Sequence, residues 1–295
     1  MIGSFWQRLL RGVRRTQQRS DWPEFAGADW ADTIMQIDVT DDFHAKQGRS
    51  TGRWILHEGN RQLSVYLKRH YRLPRLHGLL ATLWPRKAWS PALQEASHLE
   101  WAKEHGLPVP AVVAAGETIG PWGKLQSFLA VEELVGMLPL HLAIPLAAKQ
   151  LEPHDFVRWK RGLIAEMARL ARELHLRRCF HKDLYLCHFY IPRALTEMEP
   201  KSWHGRMSMI DLHRLGHHPL TWRLWQVKDL AELLYSSEVV GVTARDRIQF
   251  WREYCGLAPR LHAFWLRRLV LLKWRRYRRH NQKKKVGRPS QAVQA

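Results

Sequence analysis

Asp183 stands inside a histidine-flanked stretch, FHKDLYLCHFY (180–190), and a second acid, Asp211, follows a short apolar run in MIDLHRLG (209–216). Acids and imidazoles in such proximity serve zinc binding, nucleophilic catalysis or phosphate transfer. A zinc site built from Cys179, His181, Cys187 and His188 has the residue types but lacks a paired C-x-x-C or H-x-x-x-H unit. The two stretches alone do not choose among these chemistries. The rest of the chain does.

A strand pair opens the described order. Trp54–His57 and Leu63–Lys68 are strand-like, and Gly59-Asn60 between them is a two-residue hairpin signal. Within the second strand Leu63, Val65 and Leu67 face one way and Tyr66 and Lys68 the other. Upstream, GRSTG (48–52) offers Gly48 and Gly52 as places where backbone can approach a phosphate, although a plain turn suits the same residues. SPALQEASHLEWAKEHG (90–106) predicts a helix with Ser90 as N-cap, Pro91 in the first turn and Gly106 as its stop, which puts Glu95 in the second turn. FLAVEEL (128–134) reads as a buried strand ending in Glu132, Glu133 and Leu134, and residues 155–178 as a long helix with Leu163, Met167, Leu170 and Leu174 on one face. The opening stretch is then the loop after that helix. Residues 189–191 and 207–210 are short strands whose pairing would bring His188 and Asp211 to one end, so that Asp183, His188 and Asp211 converge on one volume able to hold a divalent cation and an acceptor hydroxyl. Strands with one helix, an apolar strand, then a helix-rich half make an α+β protein with two lobes.

Composition bounds the partners. The 295 residues are 45% hydrophobic, enough for a sizeable core, and Lys and Arg outnumber Asp and Glu by 47 to 27, a formal charge of +20. Anionic glycolipid, anionic membrane and nucleic acid all suit that charge. Three cysteines at unrelated spacings form no disulfide framework and point to a reducing compartment. The N-terminal apolar stretch is too interrupted for a secretory signal and no uncharged run approaches a membrane span, so a cytoplasmic, soluble or peripheral protein is expected. Trp6, Leu9, Leu10 and Val13 predict a short amphipathic helix with arginines on its other arc, suited either to an interface or to docking on its own domain. Residues 261–285 predict a basic helix fading into a disordered tail. Most tryptophans read as core, with Trp84, Trp89 and Trp122 as candidates for a lipid or sugar surface.

Lys68 on a strand, Glu95 on the next helix, His181-Lys182-Asp183 with His188 five positions after the acid, and Asp211 after a strand resemble, in order and context, the protein-kinase signature set. More narrowly, HKDLYLCHFYI, MIDLHRL and VKDLAELLYSS resemble the bacterial lipopolysaccharide kinase (Kdo/WaaP) family of inner-core sugar kinases over residues 45–255.

The resemblance implies a protein-kinase-like fold with a β-rich N-lobe (41–134) and a helical C-lobe (135–280), flanked by an N-terminal extension (1–40) and a basic tail (281–295). It implies ATP and Mg²⁺ as cofactors, with Gly48, Gly52, Lys68, Glu95, Glu132, Glu133 and Leu134 at the nucleotide, His188 and Asp211 at the metal, and Asp183 as catalytic base. Asp229 would brace the catalytic loop. Leu212-His213 in place of Phe-Gly argues against protein-kinase-type loop switching, and Lys182 in place of Arg keeps charge but loses the bidentate fork. The implied acceptor is a heptose or Kdo of the lipopolysaccharide core, an anionic glycolipid met at the inner membrane of a Gram-negative-type bacterium. Nucleic acid is not an expected partner. A kinase of another small molecule or of a protein, and a non-catalytic kinase-fold binding module, are the alternatives. The module is disfavoured because Lys68, Glu95, Asp183 and Asp211 are all present.

Overall fold

The computed structural model describes residues 4–39, 48–256 and 259–286, of which 281–286 by backbone alone. Two compact units emerge: Met1–Val135 together with Asp211–His213, and Gly136–Ile210 together with Arg214–Ala295.

In the first unit the helices are α1 (Phe5–Leu10), α2 (Trp22–Ala26), α3 (Trp30–Thr33), α4 (Arg75–Leu83) and α5 (Pro91–Glu104), and the strands are β1 (Val13–Gln18), β2 (Arg49–Glu58), β3 (Arg61–His70), β4 (Val112–Gly120) and β5 (Lys124–Glu132). All five strands pair antiparallel in the order β1-β4-β5-β3-β2. The hairpin at Gly59-Asn60 forms as the sequence requires, with Gly59 at φ +56. One face of β3 supplies Leu63, Val65 and Leu67 to a core closed by Trp22, Trp30 and Phe128, whose rings meet edge to face. Lys68 therefore emerges on the other face. Ser90 caps α5 by accepting the Leu93 N–H, and this cap fixes where Glu95 falls on the helix.

The N-terminal segment departs from its expected course. The helix stops at Leu10, because Gly12 adopts φ +79 and sits so near β4 that an added Cβ would lie 2.9 Å from the Ile119 carbonyl oxygen. Val13 then begins β1, an edge strand of the sheet, so these residues belong to the first unit instead of extending from it. The faces of α1 also differ: Arg8 is buried, its Nε donating to the Thr82 carbonyl at 2.8 Å, whereas Phe5, Trp6 and Leu10 are exposed.

The second unit holds α6 (Leu140–Gln150), α7 (Pro153–Leu176), α8 (Trp222–Ser236), α9 (Ala244–Cys255) and α10 (Arg260–Val286), with the short strands β6 (Met137–Pro139), β7 (Cys179–Phe180), β8 (Phe189–Pro192), β9 (Ser208–Met209) and β10 (Gly216–His217). The long helix α7 buries Leu163, Met167, Leu170 and Leu174, as its periodicity predicts. Strands β8 and β9 pair with Phe189 opposite Met209, the hairpin read from sequence. The basic helix α10 runs to Val286, in step with the helical pattern read over 261–285; residues 287–295 lie outside the described set. No described helix is long and apolar enough to cross a membrane.

Gly162 in α7 shows packing overriding helix propensity. Alanine in a helix interior gains about 1 kcal/mol over glycine. A Cβ here would lie 2.1 Å from Cδ1 of Trp203, a buried ring set edge to face on Trp159. Overpacking of this kind costs about 1–3 kcal/mol, so Gly162→Ala should lower stability, by about 1 kcal/mol net. A urea midpoint equal to or above the parent's would contradict this packing.

Candidate active site

The first unit gathers three charges on one side of its sheet. Lys68 Nζ lies 2.7 Å from Glu95 Oε1 and 3.3 Å from Asp211 Oδ1. Burial alone would lower the lysine's pKa, but the two carboxylates outweigh it and the net shift is upward, so the ammonium stays charged. Asp211 has φ +63, a left-handed conformation that aspartate tolerates better than most residues, and it also accepts from His213 Nδ1 at 2.9 Å. That hydrogen bond holds the His213 imidazole above its ordinary pKa. From α5, His98 Nδ1 donates to the Leu212 carbonyl at 2.8 Å, which ties the segment carrying Asp211 to the helix carrying Glu95. The acid's position is thus held through backbone as well as charge.

In the second unit the loop bearing Asp183 is held from beneath by a buried carboxylate. Asp229, on α8 and fully buried, accepts the backbone N–H of His181 and of Lys182, each at 2.8 Å. It also receives His175 Nε2 at 3.2 Å, while His175 Nδ1 accepts from the Tyr254 hydroxyl at 2.7 Å and that oxygen accepts from Gln226 Nε2 at 2.7 Å. Lys182 sits at φ +64, bent by this double anchor, with its ammonium 5.3 Å from the Trp225 ring. Bracing by Asp229, expected from the resemblance, is therefore a geometric fact. The Asp183 carboxylate takes Arg214 Nη1 at 2.9 and 3.0 Å, and Lys228 Nζ stands 3.7 Å away. Lys228 in turn donates to the Lys182 carbonyl and, at 2.6 Å, to Glu232 Oε1.

Other expected residues fall less neatly. Gly48 (φ +67) precedes β2, but Gly52 lies inside the strand opposite Leu67, so GRSTG is no shared phosphate loop; its ladder begins at Arg49. Residues 40–47 lie outside the described set. Glu132 and Glu133 have their amides on Ala111 and Ser64 carbonyls and their carboxylates on Arg19 and Arg53. His188 Nδ1 lies 2.7 Å from the Asp183 carbonyl; since that oxygen can only accept, the proton sits on Nδ1. Among the described residues no group of three or more His, Cys, Asp or Glu side chains is set to hold a metal. The Asp183 carboxylate is turned to Arg214 and the His188 ring to a backbone carbonyl. The zinc alternative, Cys179 with His181, Cys187 and His188, finds no such group. Sequence reasoning missed Arg214 and Lys228, although Arg214 lies in MIDLHRLG and Lys228 directly precedes Asp229.

A separate cavity of about 330 Å³ lies within the second unit, lined chiefly by apolar side chains such as Leu163, Met167, Leu230, Leu233, Phe250 and Val270.

Two outcomes follow from these environments. Asp229→Asn keeps the shape but offers one acceptor oxygen where two amides converge, so stability should fall by on the order of 2–3 kcal/mol in urea unfolding. An unchanged midpoint would contradict the anchoring role. His70, on the same face of β3 as Lys68, has its pKa pushed down to about 4 by burial and then by Arg49, Lys68 and His213. Its folded pKa lies below the unfolded value of 6.5, so the unfolded chain binds the extra proton and stability is lost as pH falls from 6.5 towards 4. The parent should lose more stability across that window than His70→Gln, and equal slopes would count against the buried neutral imidazole.

Known proteins resemble this chain in sequence and in fold. The lipopolysaccharide core heptose(I) kinase WaaP of Pseudomonas aeruginosa is 32% identical over 163 residues, covering 55% of this chain and 59% of the relative. WaaP of Escherichia coli K12 is 35% identical over 134 residues, 45% of this chain and 48% of the relative. The matched segment thus spans about half the length of these curated relatives. A solved structure, WaaP in complex with acyl carrier protein, shares the fold with a TM-score of 0.61 and 25% identity, over 88% of this chain and 99% of that one. The model of the lipopolysaccharide kinase (Kdo/WaaP) family matches residues 41–254, most of the sequence, and the chain belongs to that family.

Proposed function

We propose that this chain transfers the γ-phosphoryl group of ATP to a sugar hydroxyl of the lipopolysaccharide inner core, a heptose as in the relatives named above. The observation that carries the reading is the ion cluster in which Lys68 from β3 meets Glu95 from α5 and Asp211. Phosphoryl transfer needs charge and position more than covalent chemistry from the protein, and this cluster offers both. The donor set fits a nucleoside triphosphate with a divalent cation: an ammonium held straight by a buried carboxylate, and an aspartate whose oxygen already accepts from two donors, Lys68 and His213. ATP would supply the phosphoryl group and Mg²⁺ the countercharge for its oxygens.

The roles then distribute as follows. Lys68 contacts the phosphates, aligned by Glu95. Asp211 holds the cation, with His188 as the other assigned ligand. With the amides of Glu132 and Glu133 engaged elsewhere, the backbone at Leu134 meets the adenine edge. Gly48 is the backbone position for close approach to phosphate. Asp183 accepts the proton of the acceptor hydroxyl, and Arg214, which grips its two oxygens, keeps the carboxylate aimed. The basic surface suits an acceptor that itself carries phosphates and carboxylates, and the enzyme would work as a peripheral protein where that glycolipid is displayed.

A second reading concerns a protein partner. We infer that an acyl carrier protein binds this chain, as one binds the WaaP of the similar structure. The apolar cavity between α7, α8, α9 and α10 supports it, being suited to an alkyl chain.

A labelled-phosphate transfer assay tests the reaction. The parent should label dephosphorylated inner-core lipopolysaccharide and leave a generic protein and an aminoglycoside unlabelled. Asp183→Asn should lower turnover by roughly 10²–10⁴-fold with the fold intact. Labelling of the protein or the aminoglycoside alone would overturn the acceptor, and near-parental turnover in Asp183→Asn would overturn the base.

A further inference from the structure

The first unit exposes a cluster of apolar side chains that its own core does not use. Helix α4 has a buried side, Gly78, Ala81 and Thr82, and an exposed side, Leu76, Leu79, Leu83 and, just after the helix, Trp84. Against it packs the β4–β5 turn, whose tip is Trp122, exposed at 66%. The approach is close because both partners are glycines: a Cβ on Gly78 would lie 2.0 Å from the Gly123 oxygen, and one on Gly123 would meet Leu79. Helix α1 packs beside both through the buried Arg8–Thr82 bond and turns Phe5, Trp6 and Leu10 outward. Three elements that are far apart in sequence thus present their indoles and leucines to solvent together.

Trp122 shows that this exposure is not incidental to folding. It occupies φ 56, ψ 40, followed by Gly123 at φ +76, the two left-handed positions of a tight hairpin turn. Asparagine or glycine fills the first of these at little cost, whereas a tryptophan there carries backbone strain on the order of 1 kcal/mol or more. Neither folding nor hairpin formation calls for an exposed indole at that point.

The surrounding charge has one sign. No Asp or Glu occurs in residues 4–20, 71–94 or 118–131, the segments that build this surface. Arg11, Arg72, Arg75, Arg86 and Lys124 stand at the ends of the same elements, exposed and with no carboxylate partner among the described residues. Exposed apolar patches mark interaction sites. Tryptophan beside long basic side chains, without acids, is the composition of a bilayer interface, where indoles sit at headgroup depth and Arg or Lys reach the phosphates.

We propose that the α1–α4–Trp122 surface is a docking site for an anionic lipid bilayer. It goes beyond the phosphotransfer reading, since bilayer attachment does not depend on which hydroxyl is phosphorylated. Each basic group near an anionic leaflet adds to the attraction, so attachment is salt-sensitive. Helix α10, in the other unit, also carries exposed Leu261, Trp265 and Leu269, and these stay unaltered in every variant below so that any loss belongs to the first unit.

The test uses the full chain and the pair Trp122→Asn, Trp84→Gln; asparagine suits the turn better than the native residue, so folding is preserved, as a thermal melt would verify. The parent should co-sediment with phosphatidylethanolamine–phosphatidylglycerol vesicles, weakly with phosphatidylcholine vesicles and less at about 0.5 M salt. Brominated acyl chains should quench its tryptophan fluorescence. The double variant should bind roughly tenfold or more weakly and lose much of the quenching, yet phosphorylate soluble core oligosaccharide like the parent. Parental vesicle binding by the double variant would overturn the proposal, as would unchanged vesicle binding with loss of affinity for an acyl carrier protein, which would make the surface a protein interface. Failure of phosphate transfer in parent and variant alike would count against the kinase reading and leave the vesicle result standing.

Discussion

A carboxylate with no exposure to water, Asp229, fixes the loop that carries Asp183. A buried charge is tolerable only when its lone pairs are filled, and here two backbone amides and an imidazole fill them. The amides belong to His181 and Lys182, so satisfying the acid bends Lys182 to φ +64 and delivers the next residue, Asp183, at the loop's turn. The chain of donors continues from His175 to Tyr254 on α9 and Gln226 on α8. Three helices therefore share in holding one loop. The arrangement is stiff because loosening any member leaves a buried polar group unpaired.

Charge is handled the same way around Lys68 and Asp183. Glu95 and Asp211 flank Lys68, and Arg214 with Lys228 flanks Asp183. In each set cations meet the carboxylates at hydrogen-bonding or ion-pair distance. Preorganised charge of this kind, aimed before the substrate arrives, supplies most of what phosphoryl transfer asks of a protein. The net charge of +20 extends the same logic to the surface, where it favours anionic partners.

Local signals were legible in the sequence. The Gly59-Asn60 turn, the Ser90 cap and the alternation of Leu63, Val65 and Leu67 each act within a few residues, so Lys68 and Glu95 could be placed before any fold was known. The resemblance added order, which assigned Asp183, Asp211 and Asp229 together. Long-range determinants were not legible. The burial of Arg8 depends on a carbonyl at Thr82, and the end of α1 depends on how near Gly12 comes to Ile119, contacts no local period reports. Gly52 looked like a loop glycine because its pairing with Leu67 is set by the ladder and not by its neighbours. Arg214 carries no local mark of its grip on Asp183, thirty-one positions away.

The proposed roles divide the labour: nucleotide affinity is assigned to the Lys68, Glu95 and Asp211 set, and turnover to Asp183. Equilibrium binding of Mg²⁺–ATP to Asp183→Asn and to Asp211→Asn, with phosphate transfer measured on the same samples, tests it most directly. Asp183→Asn should keep the parent's affinity within about twofold while transfer collapses, because a base acts in the transition state and not in nucleotide binding. Asp211→Asn should lose the metal-dependent part of the affinity. If Asp183→Asn lost nucleotide binding, or Asp211→Asn kept its metal dependence, the assignment of the two sets would be wrong.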